Sequence, residues 1–377
     1  HATIRRQRQM CIRDRAWTSP IQNSFAMSTP TSLTASKPRF IPYVFLEHFV
    51  GGNKTLKPLF GVFLPESIKH ECNQNKLVNR TVVYAIGGNA LLSPTGQNEE
   101  ESSLVIAKVM SDVIDLLEAG WRVILTHGNG PQVGHLMSLD GTQPMDAWVA
   151  ATQGMIGHNL AINLDSILKK RNRPESTAVV LTRVEVDVND EGFKFPSKPV
   201  GPVLNAEQVM TVDWDIAETI KGPRRVVASP KPVRILDIEV IRSLIERNAI
   251  VICCGGGGIP VVYKDNFFYG VPSVIDKDLL SSLLAIEMSV DALIISTAVD
   301  AVKTNFGTDK EKSHDYMTLD DARKNIDNGE FPAGSMGPKV EAICLALESI
   351  EGLKAIISQP GQAISALRGD TGTTFVN

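Results

Sequence analysis

The sequence is poor in cysteine and has no cysteine pair of the metal-binding or redox type. Five cysteines occur in 377 residues, none in a C-x-x-C arrangement, and Cys253 and Cys254 are adjacent in an apolar stretch. An odd number of thiols without framework spacing argues against a disulfide-stabilised secreted domain. His135 and His158 lack metal-ligand spacing as well. We therefore expect reduced structural thiols and no zinc site or other protein-held metal.

The chain also lacks a long hydrophobic run and an excess of basic charge. No stretch of about 18 apolar residues occurs, which predicts no membrane span. The formal net charge is −4, whereas nucleic acids and anionic membranes reward a basic surface. We expect neither as a partner. These absences favour a cytoplasmic protein, with an organellar matrix as the alternative if the N-terminal stretch is a targeting signal.

The first 78 residues are predicted to be a disordered N-terminal extension. The chain starts at His1, and residues 1–39 carry seven lysines and arginines but one acidic residue, Asp14. Arginine- and serine-rich, acid-poor stretches are typical of organellar transit peptides. A gene-model or cloning artefact has the same appearance, with Met27 as another possible start, and both interpretations stay open.

From residue 81 onward, short apolar runs alternate with stretches of helical periodicity. The runs at 81–86 and 121–126 each end in a glycine-rich loop. Further runs predict strands at 178–182, 225–228, 249–254, 292–297 and 355–358. Periodicity predicts helices at 100–119, 148–170, 237–247, 277–289, 319–327 and 338–349. Alternation of this kind predicts an α/β protein with a mostly parallel sheet covered on both faces.

Three glycine-rich loops follow predicted strands, at 87–89, 128–130 and 255–258. Glycine lets backbone N–H groups approach an anion closely, and parallel sheets bind ligands at the carboxyl ends of their strands. One such loop alone would more often be a simple tight turn. Three in one sheet favour an anion site. None has P-loop or dinucleotide-binding spacing, so a NAD-dependent dehydrogenase fits poorly.

Four lysines lie in segments stiffened by proline, glycine or a helix start: Lys198, Lys231, Lys277 and Lys339. Any single lysine is more often a solvated surface charge. Phosphoryl transfer, however, needs positioning and positive charge around the moving group more than covalent chemistry. Glycine loops together with fixed lysines therefore indicate phosphoryl transfer without a P-loop.

The order of these motifs resembles that of the carbamate kinases, within the amino-acid-kinase superfamily. The matching stretches are V-Y-A-I-G-G-N-A at 83–90, T-H-G-N-G-P-Q-V-G at 126–134, T-Q-G-M-I-G at 152–157, F-K-F-P-S-K-P-V-G at 193–201, S-P-K-P at 229–232, G-G-G-G-I-P at 255–260, V-I-D-K-D at 274–278 and F-P-A-G-S-M-G-P-K at 331–339. The resemblance spans about residues 80–377. The chain departs from the family pattern at 218–225, where a G-R-G-W-R stretch is usual.

The resemblance implies a three-layer α/β/α sandwich with an eight-stranded, mostly parallel central sheet. It implies one amino-acid-kinase domain over 79–377. Its N-lobe, 79–235, would bind carbamate and include a small protruding subdomain at about 190–234. Its C-lobe, 236–377, would bind the nucleotide.

The resemblance also implies roles for individual residues. Lys198, Lys277 and Lys339 would stabilise the transferring phosphoryl group, and Asp278 would orient lysines. The implied substrate- and phosphate-binding set is Gly87, Gly88, Asn89, Gly128, Asn129, Gly130, Gly256 and Gly257. The implied nucleotide-binding set is Lys231, Thr297, Val299, Asp300, Ser335 and Met336.

The implied reaction is reversible phosphoryl transfer between ATP and carbamate, which gives ADP and carbamoyl phosphate. Family membership implies Mg²⁺ accompanying ATP or ADP, a homodimer, and a direction toward ATP synthesis in arginine catabolism. Carbamate is already an anion and needs no general base, so we expect His127 to have a structural or steering role. Two alternatives stay open: another amino-acid kinase such as acetylglutamate kinase, and a non-catalytic sensor on the same fold.

Overall fold

The computed structural model describes residues 80–87, 99–139, 143–219, 222–331 and 336–377. The predicted extension, residues 1–78, lies outside the described residues, as do Gly88, Asn89 and Ser335. Within the described ranges, every helix is too short or too polar to cross a membrane.

Seventeen strands and nine α-helices are numbered here along the described chain. The strands are β1 (Arg80–Ile86), β2 (Trp121–His127), β3 (Thr177–Val179), β4 (Arg183–Val186), β5 (Lys198–Val200), β6 (Ile216–Thr219), β7 (Gly222–Val227), β8 (Pro232–Ile235), β9 (Ile250–Ile252), β10 (Ile259–Lys264), β11 (Phe267–Gly270), β12 (Ala292–Ser296), β13 (Val302–Thr304), β14 (Lys312–His314), β15 (Tyr316–Thr318), β16 (Lys354–Ser358) and β17 (Thr373–Val376). The helices are α1 (Glu99–Glu118), α2 (Gly130–Leu139), α3 (Met145–Lys170), α4 (Ala206–Thr211), α5 (Ile238–Glu246), α6 (Lys277–Met288), α7 (Leu319–Asp327), α8 (Met336–Ser349) and α9 (Ala363–Arg368).

Eight strands form the central sheet, in the order β15-β17-β16-β12-β1-β2-β9-β3. All neighbours are parallel except β16 and β17. The central strands β1 and β2 pair over their whole length, from Arg80 opposite Trp121 to Ile86 opposite His127. The predicted mostly parallel eight-stranded sheet is confirmed.

Both faces of this sheet are buried against helices. Along β1, Val82, Tyr84 and Ile86 pack into a core with residues of α1, α3 and α9, whereas Val83 and Ala85 pack into a second core with α5, α6 and α8. Successive strand residues point to opposite faces, so two cores need a continuous apolar run such as the one at 81–86. The predicted three-layer α/β/α arrangement is confirmed.

A separate three-stranded antiparallel sheet, in the order β5-β7-β6, lies within residues 190–234. The apolar run at 225–228 contributes to β7 of this sheet, rather than to the central sheet. Most of β7 is only half-buried, which fits a small sheet on the main body. We refer to the segment 190–234 as the lid.

A buried carboxylate ties the first helix to strand β1 and to the start of α9. Asp112 of α1 is 2% exposed and accepts hydrogen bonds from the Tyr84 hydroxyl at 2.5 Å, the Gly361 N–H at 2.6 Å and the Ala363 N–H at 2.9 Å. Burial raises the pKa of Asp112, and these donors oppose that rise. The network fixes α1, β1 and the start of α9 to one another.

Replacing Asp112 with alanine should lower the free energy of unfolding by about 3 kcal/mol, because three buried donors lose their acceptor. Urea unfolding followed by circular dichroism measures this. Asp115→Ala is the matched control, since Asp115 is exposed on the same helix and its removal should cost less than about 0.5 kcal/mol. Equal losses for the two variants would contradict the assignment.

Candidate functional site

The glycine loops meet at one edge of the central sheet. Gly87 follows β1, Gly128 and Asn129 follow β2, and a 3₁₀ turn at Gly255–Gly257 follows β9. Because β1, β2 and β9 are parallel neighbours, their carboxyl ends lie side by side. The loops predicted to bind anions are therefore adjacent.

The 3₁₀ turn packs directly on the second loop and on the segment before α6. A Cβ added to Gly255 would lie 2.3 Å from His127 Nε2, one on Gly256 would lie 2.1 Å from Asn129 Nδ2, and one on Gly257 would lie 2.1 Å from the Ile275 carbonyl oxygen. Gly256 and Gly257 also have φ values of 65° and 92°, which only glycine adopts readily. These glycines are required by close contact, as well as by backbone conformation.

Two lysines share one buried carboxylate beside these loops. Asp278 is 4% exposed, and its oxygens lie 2.8 Å from Lys277 Nζ and 2.8 Å from Lys339 Nζ. Lys277 is the first residue of α6 and Lys339 lies in the first turn of α8. The side chains of both lysines are largely buried. Three of the four predicted catalytic residues therefore form one ion cluster.

Burial and charge act against each other in this cluster. Burial lowers the pKa of Lys277, since loss of water disfavours the ammonium charge, and Asp278 opposes that shift. Burial alone would raise the pKa of Asp278, but the two ammonium groups outweigh it and hold that pKa well below its usual range. Asp278 is therefore ionised at neutral pH.

The fourth predicted catalytic residue, Lys198, joins this cluster from the lid. Lys198 is the first residue of β5, and its Nζ lies 2.5 Å from Asp276 Oδ2. The other oxygen, Asp276 Oδ1, caps α6 by accepting from the N–H groups of Asp278 at 2.8 Å and Leu279 at 3.3 Å. One carboxylate thus connects the lid to the helix that carries Lys277.

The lid strand β5 is also held by backbone contacts. A Cβ on Gly134 of α2 would lie 2.4 Å from the Gly201 nitrogen, so helix and lid approach as closely as glycine allows. Arg224 of β7 donates to the Gly201 carbonyl oxygen from Nε at 3.0 Å and from a terminal nitrogen at 2.7 Å. Arg225 stacks on Trp214 at 4.6 Å. The altered stretch at 218–225 therefore still supplies a strand that pairs with β5.

His127 is a neutral, buried side chain between the loops. It is 1% exposed, and its Nδ1 lies 3.2 Å from the Gly128 carbonyl oxygen. Burial lowers its pKa to about 4, a hydrogen bond to Gly128 opposes this, and Lys277 adds to it. The expected structural role agrees with this placement.

The predicted nucleotide-binding residues are more dispersed. Thr297 follows β12 and donates its N–H to the Ser358 carbonyl oxygen at 2.9 Å; Val299 and Asp300 follow in the same loop, and Met336 begins α8. Lys231 is exposed near the end of the lid, where its N–H donates to Asp190 at 3.1 Å. The structure places the first four residues at the carboxyl edge of β12 and the start of α8, and it places Lys231 with the lid.

Asp276, Thr152 and Gln153 lie in motifs that match the family, but no role was predicted for them. Asp276 lies inside the I-D-K-D motif, and an aspartate directly before a helix is a capping signal. Thr152 accepts a hydrogen bond from Asn129 Nδ2 at 2.8 Å, and Gln153 donates to the Gly255 carbonyl oxygen at 3.0 Å. Nothing in local sequence connects α3 with loops so distant along the chain.

Comparison with known proteins identifies the family. The sequence profile of the amino acid kinase family matches residues 80–358. The carbamate kinase of Clostridium perfringens is 40% identical over 311 residues, which cover 78% of this chain and 99% of that protein. The carbamate kinase of Pyrococcus furiosus is 39% identical over 314 residues, with 78% and 99% covered. The chain belongs to the carbamate kinases. The resemblance drawn from the motifs is confirmed.

A solved relative has the same fold. The carbamate kinase from Giardia lamblia bound to AMP-PNP has a TM-score of 0.71 and 33% identity, over 80% of this chain and 99% of that one. This chain therefore covers almost the whole length of that solved carbamate kinase.

Replacing His127 with glutamine should reduce the sensitivity of the fold to acid. The pKa of the folded histidine is about 4 against 6.5 for the free side chain, so the unfolded chain binds the proton first as pH falls. This destabilises the native protein between those values, by about 2.5 kcal/mol at pH 4.5. His127→Gln should lose that much less stability than wild type between pH 7 and pH 4.5 in urea titrations.

His158→Gln provides the control, since His158 is exposed on α3 and should retain the acid response of wild type. If His127→Gln loses as much stability as wild type between pH 7 and pH 4.5, the assignment of His127 as a buried, neutral side chain is wrong.

Proposed function

We propose that the chain catalyses reversible phosphoryl transfer between ATP and carbamate, and that the cluster of Lys198, Lys277, Lys339, Asp276 and Asp278 performs the chemistry. The observation that carries this proposal is the convergence of three lysines from the lid, α6 and α8 on two aspartates beside the glycine loops. Such a cluster supplies fixed positive charge where an anionic group would move.

The reaction needs charge neutralisation more than proton transfer. Carbamate carries a negative charge, so its oxygen attacks the γ-phosphorus without a general base while the bond to the ADP oxygen breaks. The barrier lies in bringing two anions together, and positioned lysines and backbone N–H groups reduce it. In the reverse direction, a β-phosphate oxygen of ADP attacks carbamoyl phosphate and carbamate leaves.

The roles proposed for the other residues come from the motif resemblance, and the positions of the described ones support them. We assign carbamate and the transferring phosphoryl group to the first half of the chain, 79–235, through Gly87, Gly128, Asn129 and Gly130, together with Gly256 and Gly257. We assign the nucleotide to 236–377, through Thr297, Val299, Asp300 and Met336, with Lys231 reaching from the lid. Gly88, Asn89 and Ser335 retain the roles that the motifs imply.

Magnesium belongs to this proposal as a companion of the nucleotide. Among the described residues, no group of three or more His, Cys, Asp or Glu side chains is arranged to hold a metal, and Asp276 and Asp278 are already paired with lysines. This donor set suits Mg²⁺ held mainly by phosphate oxygens and water. The ion would neutralise charge on the β- and γ-phosphates.

We propose that the enzyme runs toward ATP synthesis in arginine catabolism, in a reducing compartment. The motif resemblance supports the direction. Cys253, Cys254 and Cys344 are free and buried, which fits the cytoplasm or an organellar matrix.

A coupled assay tests the reaction. Purified protein supplied with ADP, Mg²⁺ and carbamoyl phosphate should form ATP, and it should not phosphorylate N-acetylglutamate. Absence of ATP formation would refute the function and favour a non-catalytic sensor. Activity with N-acetylglutamate alone would favour the other amino-acid kinase.

Replacing Lys277 with alanine should reduce ATP formation by about a thousandfold, since it removes a positioned charge next to the transferred group. The fold should persist, because Asp278 keeps Lys339 as its partner. Steady-state rates and thermal unfolding are measured together. Lys264→Ala, in the exposed β10–β11 hairpin, should stay within about twofold of wild type. Near-normal turnover of Lys277→Ala would show that its role is misassigned.

We also propose that the protein is a homodimer. Met155 and Ile162 of α3 are 53% and 48% exposed, and beside them Val179 and Leu181, in and after edge strand β3, are 40% and 51% exposed. An exposed apolar face beside an edge strand promotes aggregation unless another protein surface packs against it. A second copy presenting the same face would bury both symmetrically.

Ile162→Glu should convert the dimer to monomer, because it buries a charge at the centre of that face. Light scattering after gel filtration gives the mass at micromolar protein. Leu104→Glu is the control, since Leu104 of α1 is 65% exposed away from β3. A monomeric wild type, or a dimeric Ile162→Glu, would contradict this assembly.

A further inference from the structure

The side-chain amide of Gln153 contacts three backbone groups that surround the third glycine loop. Its Oε1 accepts from the Thr182 N–H at 2.8 Å, and its Nε2 donates to the carbonyl oxygens of Gly255 at 3.0 Å and Thr182 at 3.3 Å. Gln153 is 2% exposed and lies within the long helix α3. A buried amide is expected to have hydrogen-bond partners, and here every partner is a backbone group of Thr182 or Gly255.

Thr182 completes a closed set of hydrogen bonds around the same loop. Its hydroxyl oxygen accepts from the Cys254 N–H at 2.9 Å, and its carbonyl accepts from the Ile259 N–H at 2.8 Å. Thr182 thereby binds both residues that flank the loop, Cys254 before it and Ile259 after it. Thr182 is fully buried.

The loop needs this support because its backbone is strained. Cys254, Gly256, Gly257 and Gly258 have φ values of 56°, 65°, 92° and 82°. A non-glycine residue in this region, such as Cys254, is strained and persists only where its surroundings fix it. Besides the turn's own hydrogen bonds, from Gly257 to Cys254 at 3.3 Å and from Gly258 to Gly255 at 3.0 Å, the bonds from Cys254 to Thr182 and from Gln153 to Gly255 restrain it from outside.

The same loop sets the position of the catalytic segment. Gly257 packs against the Ile275 carbonyl, one residue before Asp276 and two before Lys277. The loop also covers Asn129, which Thr152, the neighbour of Gln153, holds by its hydroxyl. Movement of Gly255 would therefore displace both the second glycine loop and the lysine segment.

We propose that Gln153 is a positioning residue that holds the third glycine loop in its substrate-binding conformation, acting through Gly255 and with Thr182. This rests on the proposed function, in which Gly256 and Gly257 contact carbamate and the transferring phosphoryl group. Gln153 itself touches no reacting atom. Its loss loosens the carbamoyl phosphate end of the site while the nucleotide end is unchanged.

The test compares Gln153→Glu with Gln153→Met across pH. An ionised glutamate faces two carbonyl oxygens and repels them, whereas the protonated acid keeps the bond accepted from the Thr182 N–H and donates one of the two bonds that the amide donates. Relative to wild type, Gln153→Glu should have a KM for carbamoyl phosphate raised about tenfold or more at pH 8.5, recovering toward pH 6. Gln153→Met should show a raised KM at every pH. The KM for ADP should stay within about twofold.

Matched variants separate positioning from loss of folded protein. A smaller folded fraction lowers the apparent kcat and leaves KM unchanged. Asn163→Asp makes the same charge change on α3, where the Asn163 amide bonds to the Asn159 carbonyl of its own helix, and should follow wild type at all pH values. Thr182→Val should raise the same KM, and Thr182→Ser, which keeps the hydroxyl, should restore it.

Two results would overturn the inference while the proposed function stands. One is an active wild type whose Gln153→Met variant keeps the wild-type KM for carbamoyl phosphate. The other is a Gln153→Glu variant that loses kcat alone, equally at all pH values. An inactive wild type would instead refute the proposed function. If Gln153→Glu fails to fold at pH 8.5, the comparison of Thr182→Val with Thr182→Ser decides.

Discussion

Asp278 lies 2.8 Å from both Lys277 and Lys339, and without it two cations would face each other in a buried site. Both lysines also lie in the first turn of a helix, where the helix dipole favours anions and opposes cations. One carboxylate offsets mutual repulsion, desolvation and unfavourable dipoles together. The charge left over, two cations against one anion, is attractive to an anionic substrate.

The glycine loops are the second constraint, because the cluster is useful only if an anion can reach it. Close contacts at Gly255, Gly256 and Gly257 exclude any side chain, so the loop backbone itself lies against its neighbours. Four glycines favour no single backbone state by themselves, so the two hydrogen bonds within the turn are supplemented by contacts from outside it. The helix α3 supplies what the loop lacks, through Thr152 and Gln153, and also carries the apolar face that would meet a second copy.

Much of this arrangement follows from sequence. Apolar runs predicted β1, β2, β9, β12 and β16, and the glycine loops after the first three were expected to converge. The lysine motifs predicted three charges that do meet. The family resemblance implied that Asp278 orients lysines, but local patterns could not show that Lys339 is one of its partners or that Asp276 joins lid and helix, because these contacts join residues 61 and 78 positions apart. The antiparallel hairpin β10–β11 was not predicted either. Phe267 and Tyr269 are exposed, so β11 lacks the alternation of buried and exposed residues that marks a half-buried strand.

The lid shows why that second aspartate matters. Asp276 caps α6 with one oxygen and holds Lys198 with the other, so the lid is bound to the same helix start that presents Lys277. An anion arriving at the cluster competes with Asp276 for Lys198, and the lysine is already within reach. Since Asp276 keeps its two capping bonds when Lys198 turns away, exchange costs the helix little. Under the proposed function, Lys198 would pass from this carboxylate to the phosphoryl group while the loops and α6 stay in place.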